Sequence, residues 1–126
     1  MRILIVDDSR IMRNIVKNTL QGLQYPAETF LEAADGDQAW SILETQEVSL
    51  LLVDWNMPGL NGLDLVKKLR ATAKFQSLPI IMVTSEAAKY NVIEAVKAGV
   101  SEYLVKPVAE KSLEEKIRRV LDRRTP

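Results

Sequence analysis

Short apolar runs alternate with amphipathic stretches along this chain, and the alternation predicts its elements. Residues 2–6, "RILIV", read as a strand. A helical period follows, placing Met12, Ile15, Val16, Leu20 and Leu23 on one face, with Asp8 or Ser9 positioned to cap its start. "ETFLEA", residues 28–33, alternates less cleanly and predicts a strand nearer an edge. A helix over about 37–45 comes next, with Ala39, Ile42 and Leu43 turned inward. "LLLV", residues 50–53, is a third strand, and the helix beyond it carries Leu65, Val66 and Leu69. "PIIMV", residues 79–83, predicts a fourth strand, since proline is tolerated at a strand's first position. The helix after Ser85 carries Val92, Ile93 and Val96, and Gly99 suits a left-handed C-terminal cap. "EYLV", residues 102–105, is a short fifth strand. In the last helix Leu113, Ile117, Val120 and Leu121 form one buried stripe, and Arg123 and Arg124 complement the negative end of its dipole.

Five β-then-α units without a linker or a low-complexity segment predict a single α/β domain over residues 1–126. Its architecture is an open, doubly wound parallel sheet with helices on both faces. The continuous apolar runs of the first, third and fourth strands suit parallel strands buried on both sides. A closed eight-stranded α/β barrel needs roughly 250 residues and is excluded. A chain of this size still buries roughly two-thirds of its unfolded surface.

Composition narrows the chemistry. Lys plus Arg and Asp plus Glu both number 17, so the formal net charge is zero. That balance argues against nucleic acid and against an anionic membrane surface as the main partner. There is no cysteine and no histidine. Disulfides, thiolate nucleophiles, imidazole bases and Cys- or His-ligated metals are therefore excluded. No apolar stretch approaches the roughly 20 residues of a membrane span. "MRILIVDD" turns acidic too soon for a signal peptide, and a cytoplasmic location is expected.

Doubly wound sheets bind ligands beyond the carboxyl ends of their strands. There the sequence places Asp7 and Asp8 after the first strand, Asp54 after the third, Thr84 and Ser85 after the fourth, and Lys106 and Pro107 after the fifth. Asp35 follows the second strand and would lie away from the centre if that strand is at the edge. Three converging carboxylates repel: at an effective dielectric near 20, a like-charge pair at 4 Å costs about 4 kcal/mol. Either some of them take up protons or a cation sits among them. Oxygen ligands alone select Mg²⁺ or Ca²⁺, and few protein oxygens with room for water and phosphate favour Mg²⁺. A cation, a lysine and a hydroxyl around an exposed carboxylate would also stabilise a phosphoryl group in transfer, with Asp54 as the nucleophile.

"VDDS", "DWNMPGLNG", "VTSE" and "YLVKP", each at a strand end, together resemble the response-regulator receiver domain, and within it the chemotaxis regulators. The resemblance covers essentially the whole chain. It implies a flavodoxin-like sheet of order 2-1-3-4-5, the order known for that family. It implies that a sensor histidine kinase donates a phosphoryl group to Asp54 and that the domain catalyses its own phosphorylation and dephosphorylation. Asp7, Asp8, Asp54 and the backbone carbonyl of Asn56 would hold Mg²⁺. Lys106 would pair with the phosphoryl oxygens, and Thr84 would hydrogen-bond to one. Tyr103 would be the switch aromatic, and the peptide bond before Pro107 would be cis. Asn56 and Glu86 would flank the route of an attacking water and tune a short-lived signal. The output face would be the fourth helix, fifth strand and fifth helix. The downstream partner would be a protein such as the flagellar motor switch, and the domain would be a monomer.

Simpler roles stand beside these. Asp7, Asp8, Thr84 or Ser85 could cap helices, Glu86 could be a first-turn glutamate, and Lys106 and Tyr103 could be ordinary surface and strand residues. Trp55 could be packing, though an indole beside the site should report on it optically. Arg118, Arg119, Arg123 and Arg124 read as a solvated helix face. An aspartyl phosphatase of the haloacid dehalogenase type needs D-x-D after the first strand, where this chain has Asp7-Asp8-Ser9. A flavin site needs a Ser/Thr/Gly-rich loop there, and a P-loop is absent. A receiver domain cut from a larger regulator and a phosphorylation-independent binding module are the alternatives.

Overall fold

Leu50–Val53 has no polar residue on either side of its pleat, so it is stable only where both faces are covered. It forms β3, the middle strand of a five-stranded parallel sheet in the order β2-β1-β3-β4-β5. The computed structural model describes residues 1–122; Arg123 and Arg124 lie outside the described residues. Its other strands are β1 (Ile3–Val6), β2 (Phe30–Ala33), β4 (Ile80–Thr84) and β5 (Glu102–Val105). Its helices are α1 (Arg10–Gly22), α2 (Gly36–Thr45), α3 (Gly62–Arg70), α4 (Lys89–Ala98) and α5 (Glu110–Asp122).

The pleat divides the core in two. Ile3, Ile5, Leu50, Leu52, Ile81 and Val83 face α1 and α5, where they meet Val16, Leu20, Leu113, Ile117 and Val120. Leu4, Val6, Leu51, Val53, Ile80 and Met82 face α2, α3 and α4, where they meet Ala39, Leu43, Leu65, Leu69 and Ala95. Each fully buried aliphatic side chain contributes roughly 1.5–3 kcal/mol of transfer free energy. Because every strand of the centre is buried on two sides, register is strongly fixed, with Val6 opposite Val53 and Val53 opposite Met82.

Capping sets the helix starts. Ser9 Oγ accepts from Met12 N–H at 3.2 Å, Asp35 Oδ1 from Gln38 N–H at 2.8 Å, and Asn61 Oδ1 from Asp64 N–H at 2.9 Å. The cap of α1 is thus Ser9, and neither Asp7 nor Asp8 fills it. The second strand is shorter than "ETFLEA" suggests, because Ala27–Thr29 wind into a 3₁₀ turn before it. Three inward assignments also change. Ile15 is 41 % exposed, since the buried stripe of α1 runs through Val16 and Leu20. On α4 the stripe runs through Ala95 and Ala98, and it leaves Ile93 and Val96 45 % and 57 % exposed. Small alanines there let the helix sit close to its neighbours while its larger apolar residues face outward.

Gly99 ends α4 with φ 116°, and a Cβ at that position would stand 2.5 Å from Arg70 Cγ. Arg70 in turn donates to the carbonyls of Gly99 (2.9 Å) and Phe75 (2.8 Å), fastening α3 to the end of α4. Gly99→Ala should therefore lower the unfolding free energy in urea by at least about 1–2 kcal/mol. An unchanged midpoint would show that neither the backbone conformation nor the Arg70 clamp matters.

Glu32 on the edge strand accepts from Lys17 Nζ at 2.8 Å and Arg13 Nε at 2.9 Å, tying β2 to α1. The Lys17 hydrogen bond holds the Glu32 carboxyl below its ordinary value near 4.5, partial burial opposes it, and Arg13 adds to the lowering. A carboxyl lowered on folding stabilises above its unfolded pKa and loses that contribution as pH falls through the folded one. Glu32→Gln should therefore cost up to about 1 kcal/mol at neutral pH. The difference from wild type should close as pH is taken below 4.5. Denaturation midpoints across pH check this, and a gap that stays constant into acid would contradict it.

Candidate functional site at the carboxyl edge of the sheet

The ladder runs one residue past several strands. Asp7 N–H donates to Ala33 O at 3.1 Å, Asp54 N–H to Val6 O at 2.9 Å, and Lys106 N–H to Thr84 O at 2.9 Å. With side chains alternating in direction, Asp7 follows Ile3 and Ile5, Asp54 follows Leu50 and Leu52, and Lys106 follows Leu104. All three continue the face that carries α1 and α5. Their side chains meet: Lys106 Nζ lies 2.9 Å from Asp7 Oδ2 and 3.2 Å from Asp54 Oδ2.

Both acids are buried, Asp7 to 5 % exposure and Asp54 to 7 %, and their remaining oxygens are also held. Ser9 N–H donates to Asp7 Oδ1 at 2.9 Å, and Trp55 N–H to Asp54 Oδ1 at 2.7 Å. Burial alone would lower the Lys106 ammonium, but the Asp7 hydrogen bond and the Asp54 charge outweigh it, so its pKa is raised. Lys106 is therefore charged at neutral pH.

The loop after β3 is shaped by Gly62. A Cβ there would fall 1.9 Å from the Asp54 carbonyl oxygen, so only glycine lets the start of α3 close against the strand end. Gly62 N–H also donates to Trp55 O at 2.9 Å. That closure ties the two ends of "WNMPGLN" together.

Asp7, Asp8 and Asp54 offer carboxylate oxygens that all lie within 4.8 Å of one another. Asp8 is exposed. The donor set is three hard anionic oxygens with one ammonium to offset them, and it fits a small hard divalent cation.

A second cluster centres on Glu86. Asn56 Nδ2 donates to Glu86 Oε1 at 2.8 Å, and Asn91 Nδ2 donates to Oε2 at 3.4 Å. The Tyr103 hydroxyl donates to the Glu86 carbonyl, and Glu86 N–H donates to Thr84 Oγ1 at 3.4 Å. Thr84 is fully buried. Burial raises the Tyr103 pKa first, and the charges of Glu86 and Asp54 raise it further, so its hydroxyl stays a donor. The Lys106–Pro107 peptide is cis.

The structure places Asp7, Asp8, Asp54 and Lys106 in one group, and Asn56, Glu86, Thr84 and Tyr103 in a second. The helix-cap readings do not hold for Thr84, Ser85 or Glu86. α4 begins at Lys89, its N-cap is Ala88, and no side chain caps it. Asn91 was missed, because nothing in its spacing marks a residue of the first turn of α4 as a partner of Glu86. Arg13 was missed as well. Its Nη1 donates to the Asp7 carbonyl at 2.6 Å from the first turn of α1.

Fold and rim together define a flavodoxin-like domain with an acidic, lysine-bridged pocket at the carboxyl ends of its central strands. The chain belongs to the response regulator receiver domain family, which matches residues 3–118. It is 51 % identical over 122 residues to a chemotaxis protein CheY homolog of Campylobacter jejuni, covering 96 % of this chain and 92 % of that one. It is also 51 % identical to the chemotaxis protein CheY1 of Helicobacter pylori, covering 96 % and 97 %. Among solved structures it resembles the receiver domain of a sensor histidine kinase from Pseudomonas aeruginosa, solved with a magnesium ion coordinated in the active site cleft. That match has a TM-score of 0.84 at 28 % identity over 96 % of this chain and 97 % of that one. This chain is thus a receiver domain of the CheY type.

Asp8→Asn removes one of the three mutually repelling charges without touching the Lys106 bridge. In metal-free, low-salt buffer it should stabilise the domain by up to about 1 kcal/mol, and high salt should shrink the gain. A thermal midpoint equal to or below that of wild type would mean that the carboxylates do not strain one another.

Proposed function

We propose that the domain receives a phosphoryl group on Asp54 from a sensor histidine kinase and uses it to switch a chemotactic output. The observation that carries this reading is the bridge from Lys106 to Asp7 and Asp54, with Asp8 within reach of both acids. Asp7, Asp8, Asp54 and the carbonyl of Asn56 would hold Mg²⁺. The donor chemistry supports that choice, as does the magnesium ion in the cleft of the Pseudomonas relative. When bound, the ion supplies positive charge against the phosphoryl oxygens.

The chain's own groups do the rest. An Asp54 carboxylate oxygen forms the bond to phosphorus as the donor's imidazole nitrogen leaves with the electron pair of the broken P–N bond. Lys106, already charged and already pointing at Asp54, pairs with the phosphoryl oxygens. The Thr84 hydroxyl donates to one of them, giving up its present role as acceptor from Glu86 N–H. Tyr103 responds to that movement, since its hydroxyl is bonded to the carbonyl of the same Glu86.

The output surface is α4, β5 and α5. Tyr90, Ile93, Val96 and Val105 leave an apolar patch on it, with Tyr90 72 % exposed, which suits docking of a partner protein such as the flagellar motor switch. Among the described residues no helix is long and apolar enough to cross a membrane.

With Mg²⁺ and a small acyl phosphate, mass spectrometry should find one hydroxylamine-sensitive phosphoryl group, absent in Asp54→Asn, and Trp55 fluorescence should change on adding Mg²⁺. The modification should decay on its own after the donor is removed. An unmodified wild type, or modification that survives in Asp54→Asn, would overturn the assignment. A persistent phosphoryl group would overturn the short lifetime.

A further inference from the structure

Glu86 is gripped from four sides. Its two carboxylate oxygens are divided between Asn56, on the loop after β3, and Asn91, in the first turn of α4. Its backbone is held by Thr84 and Tyr103. Asn56 and Glu86 meet at 2.8 Å and so join the loop after β3 to the loop after β4. Without Asn91, the glutamate chain would be anchored at one oxygen only, and its three side-chain torsions would regain freedom.

We propose that Asn91 is a positioning residue that sets the lifetime of the phosphoryl group by holding the Glu86 carboxylate. The inference rests on the phosphorylation of Asp54 proposed above. In the hydrolytic step the oxygen of a water bonds to phosphorus and the P–O bond to Asp54 breaks. The electron pair returns to the carboxylate, and the water's proton leaves with inorganic phosphate or to solvent. Glu86 can accept a hydrogen bond from that water, and the Asn56 amide lies beside it. Orientation governs such a step, because a water held in line reacts faster than one that must be found from a range of poses. Asn91 never touches the reacting atoms and acts through Glu86. It also stands beside Tyr90 on the helix that carries the exposed apolar patch, so the lifetime is tied to the placement of α4.

The test is the first-order decay of phosphorylated protein after removal of an acyl phosphate donor. Asn91→Ala should take up the phosphoryl group fully on Asp54 and lose it about two- to five-fold more slowly than wild type, the effect of one weak, charge-assisted hydrogen bond. Asn91→Asp, which sets a like charge against Glu86, should slow decay at least as much. In a Glu86→Ala background, Asn91→Ala should have no further effect, which a merely structural loss would not reproduce. If Asn91→Ala decays at the wild-type rate, or slows decay equally without Glu86, the assignment of Asn91 falls while the phosphoacceptor reading stands. If wild type takes up no phosphoryl group at all, both fall together.

Discussion

Two buried carboxylates on neighbouring strands stand side by side because one ammonium lies between them. Asp7 and Asp54 would repel by several kcal/mol at an effective dielectric near 20 if left alone at this spacing. Lys106, reaching from β5, bonds to both. The bridge is strong as a positional constraint and poor as a source of net stability, since two buried charges and a half-buried one also lose hydration. Its value lies in leaving a pocket charged but poised. Two buried acids share one ammonium, and a third acid sits exposed at the lip within reach of both.

That pocket follows from ordinary sheet geometry. Hydrogen bonding continues one residue past β1, β3 and β5, so the first residue after each strand is still aligned by the ladder. The pleat then sends Asp7, Asp54 and Lys106 to the same face, in line with the Ile, Leu and Leu rows of the core behind them. The core therefore does more than stabilise the domain. It fixes the register that sets the acids abreast, and Gly62 permits the adjoining loop to close against the Asp54 carbonyl.

Much of this was legible in the sequence. Five apolar runs alternating with helical periods give the layers, and the polar residues at their ends name the pocket. The parity that separates Asp7, Asp54 and Lys106 from Thr84 and Tyr103 can also be read by counting from the strands. What could not be read was set by tertiary packing. α4 looked like an ordinary amphipathic helix through Val92, Ile93 and Val96. It instead buries Ala95 in the core against α3 and β5, with Ala98 packed beside it. The start of α4 was misplaced for a related reason. Glu86 is held by Asn56, Thr84, Asn91 and Tyr103, and a helix starting directly after Ser85 would forfeit the Tyr103 and Asn91 bonds to it. The link between Asn56 and Glu86 spans 30 positions and has no local signature.

The same ladder that delivers Lys106 to the pocket also delivers its neighbours to the surface. Along β5 and its extension, Tyr103 turns toward Glu86, Val105 is exposed, and Lys106 points back among the acids. Consecutive residues thus face the pocket and the surface, with no intervening layer to absorb a displacement. On the proposed function, added charge at Asp54 would draw on Thr84 and Lys106, which are joined by a backbone hydrogen bond of 2.9 Å. Glu86, bonded to Thr84 on one side and Tyr103 on the other, would feel both. A closely packed sheet cannot yield at its centre, so such a shift is passed on at its edge, into the loop 85–88 and the first turn of α4. The exposed apolar residues of α4 lie immediately beyond.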